Sequence, residues 1–351
     1  MKRILALIMS MLMLILPLAS CTASSPDDTD TADTSGTDSA TESETDAETD
    51  APQDTTEYYA YLFAYFTGND PSQEQICFAV SKDGYKYKAL NKGNPIVKSN
   101  SGTKCVRDPY IFRGQDGYYY MIATDMKSSL GWASNRDLIS WKSEDLINWT
   151  DETIIEIDGT CKATKNTIRA WAPQAIWDPD RGEYMIYFAL CSSATNGATV
   201  MYYAYSPDMK TLSTDPELLF APSNGNSAID ADIIYHDGLY YMFYKDETSG
   251  GIKLTTSKNL TSGYSYTKSK LVSPSGLAVE GSSIFKLIDG SGWLLISDAY
   301  TSGYFVMEHT TDLKKFKTLD QKEYRFNFTP RHGSVIPITK EEYNALRNEF
   351  K

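Results

Sequence analysis

Histidine and cysteine are scarce in this chain: three and five among 351 residues, with no two cysteines forming a CxxC pair. That scarcity excludes a zinc site built on ligand spacing. Cationic excess is absent as well, since 33 Lys and Arg face 46 Asp and Glu for a net charge of −13. Nucleic acid is therefore not expected as a partner. No apolar run beyond residue 18 is long enough to span a bilayer. No long amphipathic helix pattern competes with strand patterns before the short tail Lys340–Lys351. Aromatic residues are plentiful, with 25 Tyr, 13 Phe and 6 Trp.

The N-terminus reads as an address. Lys2 and Arg3 precede the apolar stretch Ile4–Leu18, and Leu18-Ala19-Ser20-Cys21 sets small residues before a cysteine. This is the pattern of a bacterial lipoprotein signal, with residues 1–20 removed and Cys21 lipidated. An ordinary secretory signal ending near a cysteine is the alternative. The expected location is the cell envelope, with the chain exported and lipid-anchored to the outer face of a membrane. Residues 21–57 then form a linker. Residues 22–57 hold twelve acids, no Lys or Arg and no aromatic, a composition that cannot bury enough apolar surface to fold. Without those acids and without Lys2 and Arg3, the net charge of residues 58–351 is about −3. Of the four remaining cysteines, Cys77, Cys105, Cys161 and Cys191, the sequence assigns no pairing, and free buried thiols serve equally well.

Residues 58–351 repeat. Four hairpins of one kind recur: Asp108–Arg113 with Tyr118–Ala123, Ala172–Trp177 with Tyr184–Ala189, Asp230–Tyr235 with Tyr240–Tyr244, and Glu280–Phe285 with Trp293–Ser297. Each joins an apolar strand to an aromatic-rich one through a Gly- or Asp-containing turn. A Ser/Thr-x-Asp/Asn tripeptide recurs five times, at Ser81, Ser143, Ser206, Ser257 and Thr310, closing a third strand. Five closures against four hairpins leave one blade short of an inner strand, which His332–Ile338 supplies from the other end. The pattern predicts an all-β fold, a five-bladed β-propeller whose fifth blade mixes one C-terminal strand with three N-terminal ones, closing the ring. A β-sandwich is the alternative, but it gives no reason for a fivefold repeat.

In a propeller the first strand of each blade lines the axis, so its start faces a common funnel. Those starts read Asp108, Trp171-Ala172-Pro173, Asp230, Glu280 and Arg331-His332. Three carboxylates from three blades suit glycoside hydrolysis, which needs one acid to protonate the leaving oxygen and one carboxylate to activate water. A third carboxylate raises a neighbour's pKa by like-charge repulsion. Turn formation and strand capping are the structural alternative for the same acids. Asp232 rivals Asp230, because residues two apart on a strand face the same way. Alternation also leaves Arg107 and Arg331 as salt-bridging blade residues outside the site.

The motifs Val106-Arg107-Asp108-Pro109-Tyr110-Ile111, Trp171-Ala172-Pro173-Gln174-Ala175, Ala228-Ile229-Asp230-Ala231, Val279-Glu280-Gly281 and Arg331-His332-Gly333-Ser334 resemble those of glycoside hydrolase family 43. The likeness covers essentially all of residues 58–351. It implies an inverting hydrolase of α-L-arabinofuranosyl or β-xylosyl linkages in plant polysaccharide or its oligosaccharides. It makes Asp108 the general base, Asp230 the modulator and Glu280 the general acid, with Trp171 and Tyr110 binding sugar. It also makes His332 the central histidine beside a structural calcium or sodium ion in the axial channel, no cofactor being required for the chemistry. A monomer is expected. Ser282 departs from the pattern, since many relatives have proline after the glycine.

Two other readings remain. Asn69-Asp70-Pro71 and Arg107-Asp108-Pro109 are both found in the retaining fructan and sucrose hydrolases, although Asn69-Asp70-Pro71 does not open an inner strand here and the Glu-Cys acid motif is missing. A surface propeller that captures glycans without cutting them is the non-enzymatic reading.

Overall fold

Aromatic and β-branched runs punctuated by Gly, Asp and Asn commit the chain to antiparallel hairpins, and an isolated hairpin cannot bury both of its faces. The computed structural model shows how they are covered. It describes residues 56–266, 272, 273 and 275–351, which belong to a compact unit spanning Thr55–Lys351. The signal stretch, Cys21 and the acidic linker up to residue 55 lie outside the described residues.

The strands run in order β1 (Ala60–Tyr65), β2 (Cys77–Ser81), β3 (Lys86–Ala89), β4 (Val106–Arg113), β5 (Tyr119–Asp125), β6 (Leu138–Ser143), β7 (Trp149–Ile155), β8 (Arg169–Asp178), β9 (Glu183–Cys191), β10 (Val200–Ser206), β11 (Glu217–Phe220), β12 (Ala228–His236), β13 (Leu239–Asp246), β14 (Gly251–Ser257), β15 (Glu280–Lys286), β16 (Trp293–Ala299), β17 (Tyr304–Thr310), β18 (Lys317–Thr318), β19 (Arg325–Phe326) and β20 (Gly333–Ile338). They form five sheets: β4–β7, β8–β11, β12–β14, β15–β18, and a last one ordered β19-β3-β2-β1-β20. These are the five blades, and the fifth closes the ring as the repeat count requires. One detail differs from expectation. The C-terminal segment gives the fifth blade two strands, because β19 pairs in parallel with the outer edge of β3 before β20 pairs with β1. A two-residue strand leaves no periodicity to read.

All five Ser/Thr-x-Asp/Asn closures end the third strand of their blade. At Ser143, for example, Oγ accepts from the Leu146 N–H at 3.0 Å while Asp145 Oδ1 accepts from Ile147 and Asn148 at 2.9 and 2.8 Å. The side chains thus satisfy backbone donors that the sheet has released.

The apolar core lies between blades, as five clusters at the five junctions. Along the axis, inner strands do not pair with one another, so their N–H groups need other acceptors. Ser334 Oγ accepts from Ile111 N at 2.8 Å, Thr124 Oγ1 from Ala172 N at 2.8 Å, and Tyr187 OH from Ile233 N at 3.0 Å. Asp232 accepts from Ile284 N at 2.8 Å and Ser283 Oγ from Val335 N at 3.4 Å, completing the circuit. A helix, α1 (Lys340–Glu349), opens with a capping box between Thr339 and Glu342. It packs Tyr343 and Leu346 into the closing junction, and Glu342 pairs with Arg113 at 3.1 Å. The four cysteines of this unit are free.

Candidate active site

Each of the inner strands β4, β8, β12 and β15 carries the same irregularity near its start. The register slips between Arg107 and Tyr110, between Trp171 and Gln174, between Ile229 and Asp232, and between Glu280 and Ser283. The bulged residues are Asp108, Ala172, Asp230 and Gly281, all left-handed, with φ of 54, 45, 54 and 59°. For the three that are not glycine this conformation costs roughly 1–2 kcal/mol each. Bulges next to active sites re-aim side chains, and here they cancel the alternation on which the facing of neighbours was predicted. Glu280 also proves to sit one step earlier in its bulge than Asp108 and Asp230 do in theirs.

The result is one pocket at one end of the axis, lined by Asp108, Asp230, Glu280, Trp171 and His332 together with Arg107, Met126, Trp132 and Ile229. The three acids converge from three blades as the repeat predicted. Asp108 Oδ2 accepts from Thr124 Oγ1 at 2.9 Å, and His332 Nδ1 lies 3.3 Å from its other oxygen. Burial would raise this carboxyl, but the His332 contact and the charges of His332 and Arg107 outweigh it and hold the pKa below the ordinary value. Asp230 is pushed up to about 7, chiefly by burial, with the negative charges of Glu280 and Asp108 adding to it against His332 and Lys245. Its Oδ2 accepts the Gly281 N–H at 2.9 Å, fastening the residue next to Glu280. Glu280 is gripped by Lys245 Nζ at 2.9 Å and Arg331 Nη2 at 3.2 Å. Lys245 also meets Glu247 at 2.7 Å, and Arg331 meets the buried Asp298 at 2.5 Å. Burial disfavours the Lys245 charge, but Glu280 and Asp230 keep its pKa above the usual lysine value.

His332 is buried and packs on Gly281, where an added Cβ would lie 2.3 Å from its ring. Burial disfavours its charge, yet the surrounding carboxylates, Asp230 foremost, raise its pKa to about 9. A hard cation such as calcium takes six or more oxygen ligands. Here Nδ1 is turned to Asp108 and, at 4.0 Å, to Asp230, and among the described residues no three His, Cys, Asp or Glu side chains are grouped to hold a metal. The structural partners of its Nδ1 are the two aspartates.

Tyr110 departs from the sequence expectation. It lies past the bulge, in a separate cavity at the far end of the axis shared with Asp232, Ile284 and Val335, and not in the pocket with the acids. The bulge also parts the two rival aspartates: Asp230 lines the acid pocket, whereas Asp232 is fastened to Ile284 N. Arg107 and Arg331 are salt-bridged as expected, Arg107 to Glu74 at 3.0 Å, but both also reach the site. Lys245 and Trp132 escaped the sequence reading altogether. Lys245 enters because it pairs across the sheet with Ile229, beside Asp230, and Trp132 because its loop folds over the mouth. Neither has a local sequence signal. Asp70, the residue of the retaining alternative, sits in an exposed turn and does not line the pocket.

An alpha-L-arabinofuranosidase of Bifidobacterium longum subsp. longum is 28% identical over 278 residues, which is 73% of this chain and 25% of the relative. The chain thus spans about a quarter of that enzyme's length. Among solved structures, a xylan beta-1,4-xylosidase from Bacillus halodurans superposes with a TM-score of 0.52 at 14% identity, covering 78% of this chain and 53% of that one. A thermostable family-43 glycoside hydrolase gives a TM-score of 0.55 at 15% identity, covering 78% and 92%. At such identities these two structures speak for the fold alone. A family model described as a probable glycosyl hydrolase domain, related to glycoside hydrolase family 43, matches residues 56–344, and to that family this chain belongs.

Proposed function

We propose that the chain is an inverting glycoside hydrolase that releases α-L-arabinofuranosyl, or else β-xylosyl, units from plant cell-wall oligosaccharides. The observation that carries this reading is the convergence of Asp108, Asp230 and Glu280 from three blades on one pocket, in unlike electrostatic settings. Asp108, held ionised beside His332, is suited to take a proton from water as the water oxygen attacks the anomeric carbon. Glu280 gives its proton to the glycosidic oxygen as the carbon–oxygen bond breaks. Water adds across the bond, and the anomeric configuration inverts. Asp230 places negative charge opposite the cations Lys245 and Arg331 and anchors the Gly281 N–H, so it tunes and orients Glu280 without entering the bond changes. Trp171 forms a sugar-facing wall. The reading includes attachment to a cell surface through Cys21 and action there as a monomer.

The experiment is an NMR measurement of the first product's anomeric configuration, using the full-length chain on α-1,5-arabino-oligosaccharides and xylo-oligosaccharides. An inverted product, with turnover lowered at least about 10³-fold in Glu280→Gln, is the expected result. A retained configuration would sink the base-plus-acid assignment. Binding without turnover in the wild-type protein would favour the glycan-capturing alternative.

A further inference from the structure

Trp132 stands out among the aromatic side chains of the pocket. It lines the cavity that holds the acids, yet it is 51% exposed, a large apolar surface left to water at the mouth of a polar site. Its ring meets Trp171 edge-on, with centroids 6.4 Å apart and planes at 81°. The Arg107 guanidinium lies 5.1 Å from the Trp132 centroid and 4.4 Å from that of Phe66 on its other side. One face of Trp132 is therefore backed by a cation, and the exposed surface is the remainder, turned away from Arg107.

The loop that carries it, between β5 and β6, is pinned at both ends. Ser128 N donates to Glu74 at 3.0 Å, and Ser128 Oγ donates to the Asn69 carbonyl at 2.9 Å. Asn135, wholly buried, donates to the carbonyls of Asp125 and Asp137 and accepts from Ala170 N at 2.6 Å. Asn69 also accepts from Arg107 at 2.8 Å, so the Asn69-Asp70-Pro71 turn serves to brace the arginine and this loop. An exposed tryptophan held rigid beside a reaction pocket loses little conformational freedom when a ligand covers it. The flat, partly apolar face of a sugar ring matches such a surface.

We propose that Trp132 is the platform for a second sugar, next to the one held among the carboxylates, so that the substrate is a chain of at least two sugars. This rests on the hydrolase reading above and adds a second sugar-binding surface at the mouth of the pocket. Trp132 acts as a specificity-determining residue, selecting oligosaccharides over glycosides of a single sugar.

The test compares wild type, Trp132→Ala and Trp132→Phe on α-1,5-arabinotriose and on α-L-arabinofuranosyl fluoride, which carries a single sugar. The expected result is a fall of about tenfold in kcat/KM on the triose for Trp132→Ala, carried by KM, against a loss of no more than about twofold on the fluoride. Trp132→Phe should recover most of the triose activity. Equal losses on both substrates, or none on the triose, would overturn the platform. If wild type cleaves neither substrate, the hydrolase reading fails on its own, and calorimetric titration with arabinotriose decides the platform instead. Binding about tenfold weaker in Trp132→Ala supports it; equal affinity, or no binding by wild type, removes it.

Discussion

Asp230 and Asp232 lie two residues apart on β12, both are buried, and both are pushed up to about 7, chiefly by burial. They nevertheless belong to opposite ends of the axial channel. Asp230 opens on a pocket with two other carboxylates, a histidine and a basic pair beyond Glu280. Asp232 faces a cavity of aliphatic and aromatic side chains, accepts the Ile284 N–H, and takes a bond of 3.0 Å from the Gln174 amide once that amide is oriented to donate. A raised pKa therefore does not identify a catalytic group by itself. At one end burial is joined by several opposed charges that a reaction can draw on; at the other it is joined chiefly by a donor that fastens the neighbouring blade, with the His332 charge a smaller opposing influence.

The contrast is sharpest in activity. Asp230→Asn should lower kcat on a pentose oligosaccharide by about 10²-fold, whereas Asp232→Asn should stay within about threefold. Steady-state kinetics on the two variants measures this, and comparable losses would erase the distinction between the channel ends. Next comes Gly281, on the acid side. Its φ of 59° and the 2.3 Å approach of an added Cβ to His332 predict that Gly281→Ala costs at least about 2 kcal/mol in urea unfolding. Gly117, with a φ of 83° but open space around it, should cost only about 1 kcal/mol under the same change.

The smallest effect concerns pH. Asp232 has a pKa of about 7 in the folded chain, above that of an exposed aspartate near 4. The folded state thus binds the proton more tightly, and the stability it contributes is complete below about pH 4 and is lost as pH rises through about 7. Asp232→Asn should flatten part of the fall in Tm between pH 5 and 8 while leaving the pH dependence of activity in place. Asp230→Asn should alter both. Thermal melts and kcat–pH profiles of the two variants separate these outcomes.

Much of this was legible in advance. The five tripeptide closures and four hairpins revealed the blade count, because turn chemistry and strand alternation act over a few neighbouring residues. The deficit of one inner strand pointed to ring closure by residues 332–338. Asp108, Asp230 and Glu280 were identified from their place in the repeat, and the pocket gathers all three. Strict alternation sets Arg107 outside the site, and the bulge in β4 displaces that alternation by a residue; Arg331 lies before β20 and reaches Glu280 from there.

The sequence by itself determined the strands, their turns, the number of blades and the acids at the blade starts, since each depends on local periodicity and side-chain chemistry. Only the tertiary structure decided which of two neighbouring aspartates meets the acids, which cations hold Glu280, and that Trp132 stands at the mouth. Those outcomes depend on a bulge's register and on contacts between residues such as Lys245 and Glu280 or Arg331 and Asp298, which meet because the ring closes, and no local pattern in the chain encodes where a closed ring brings its distant parts together.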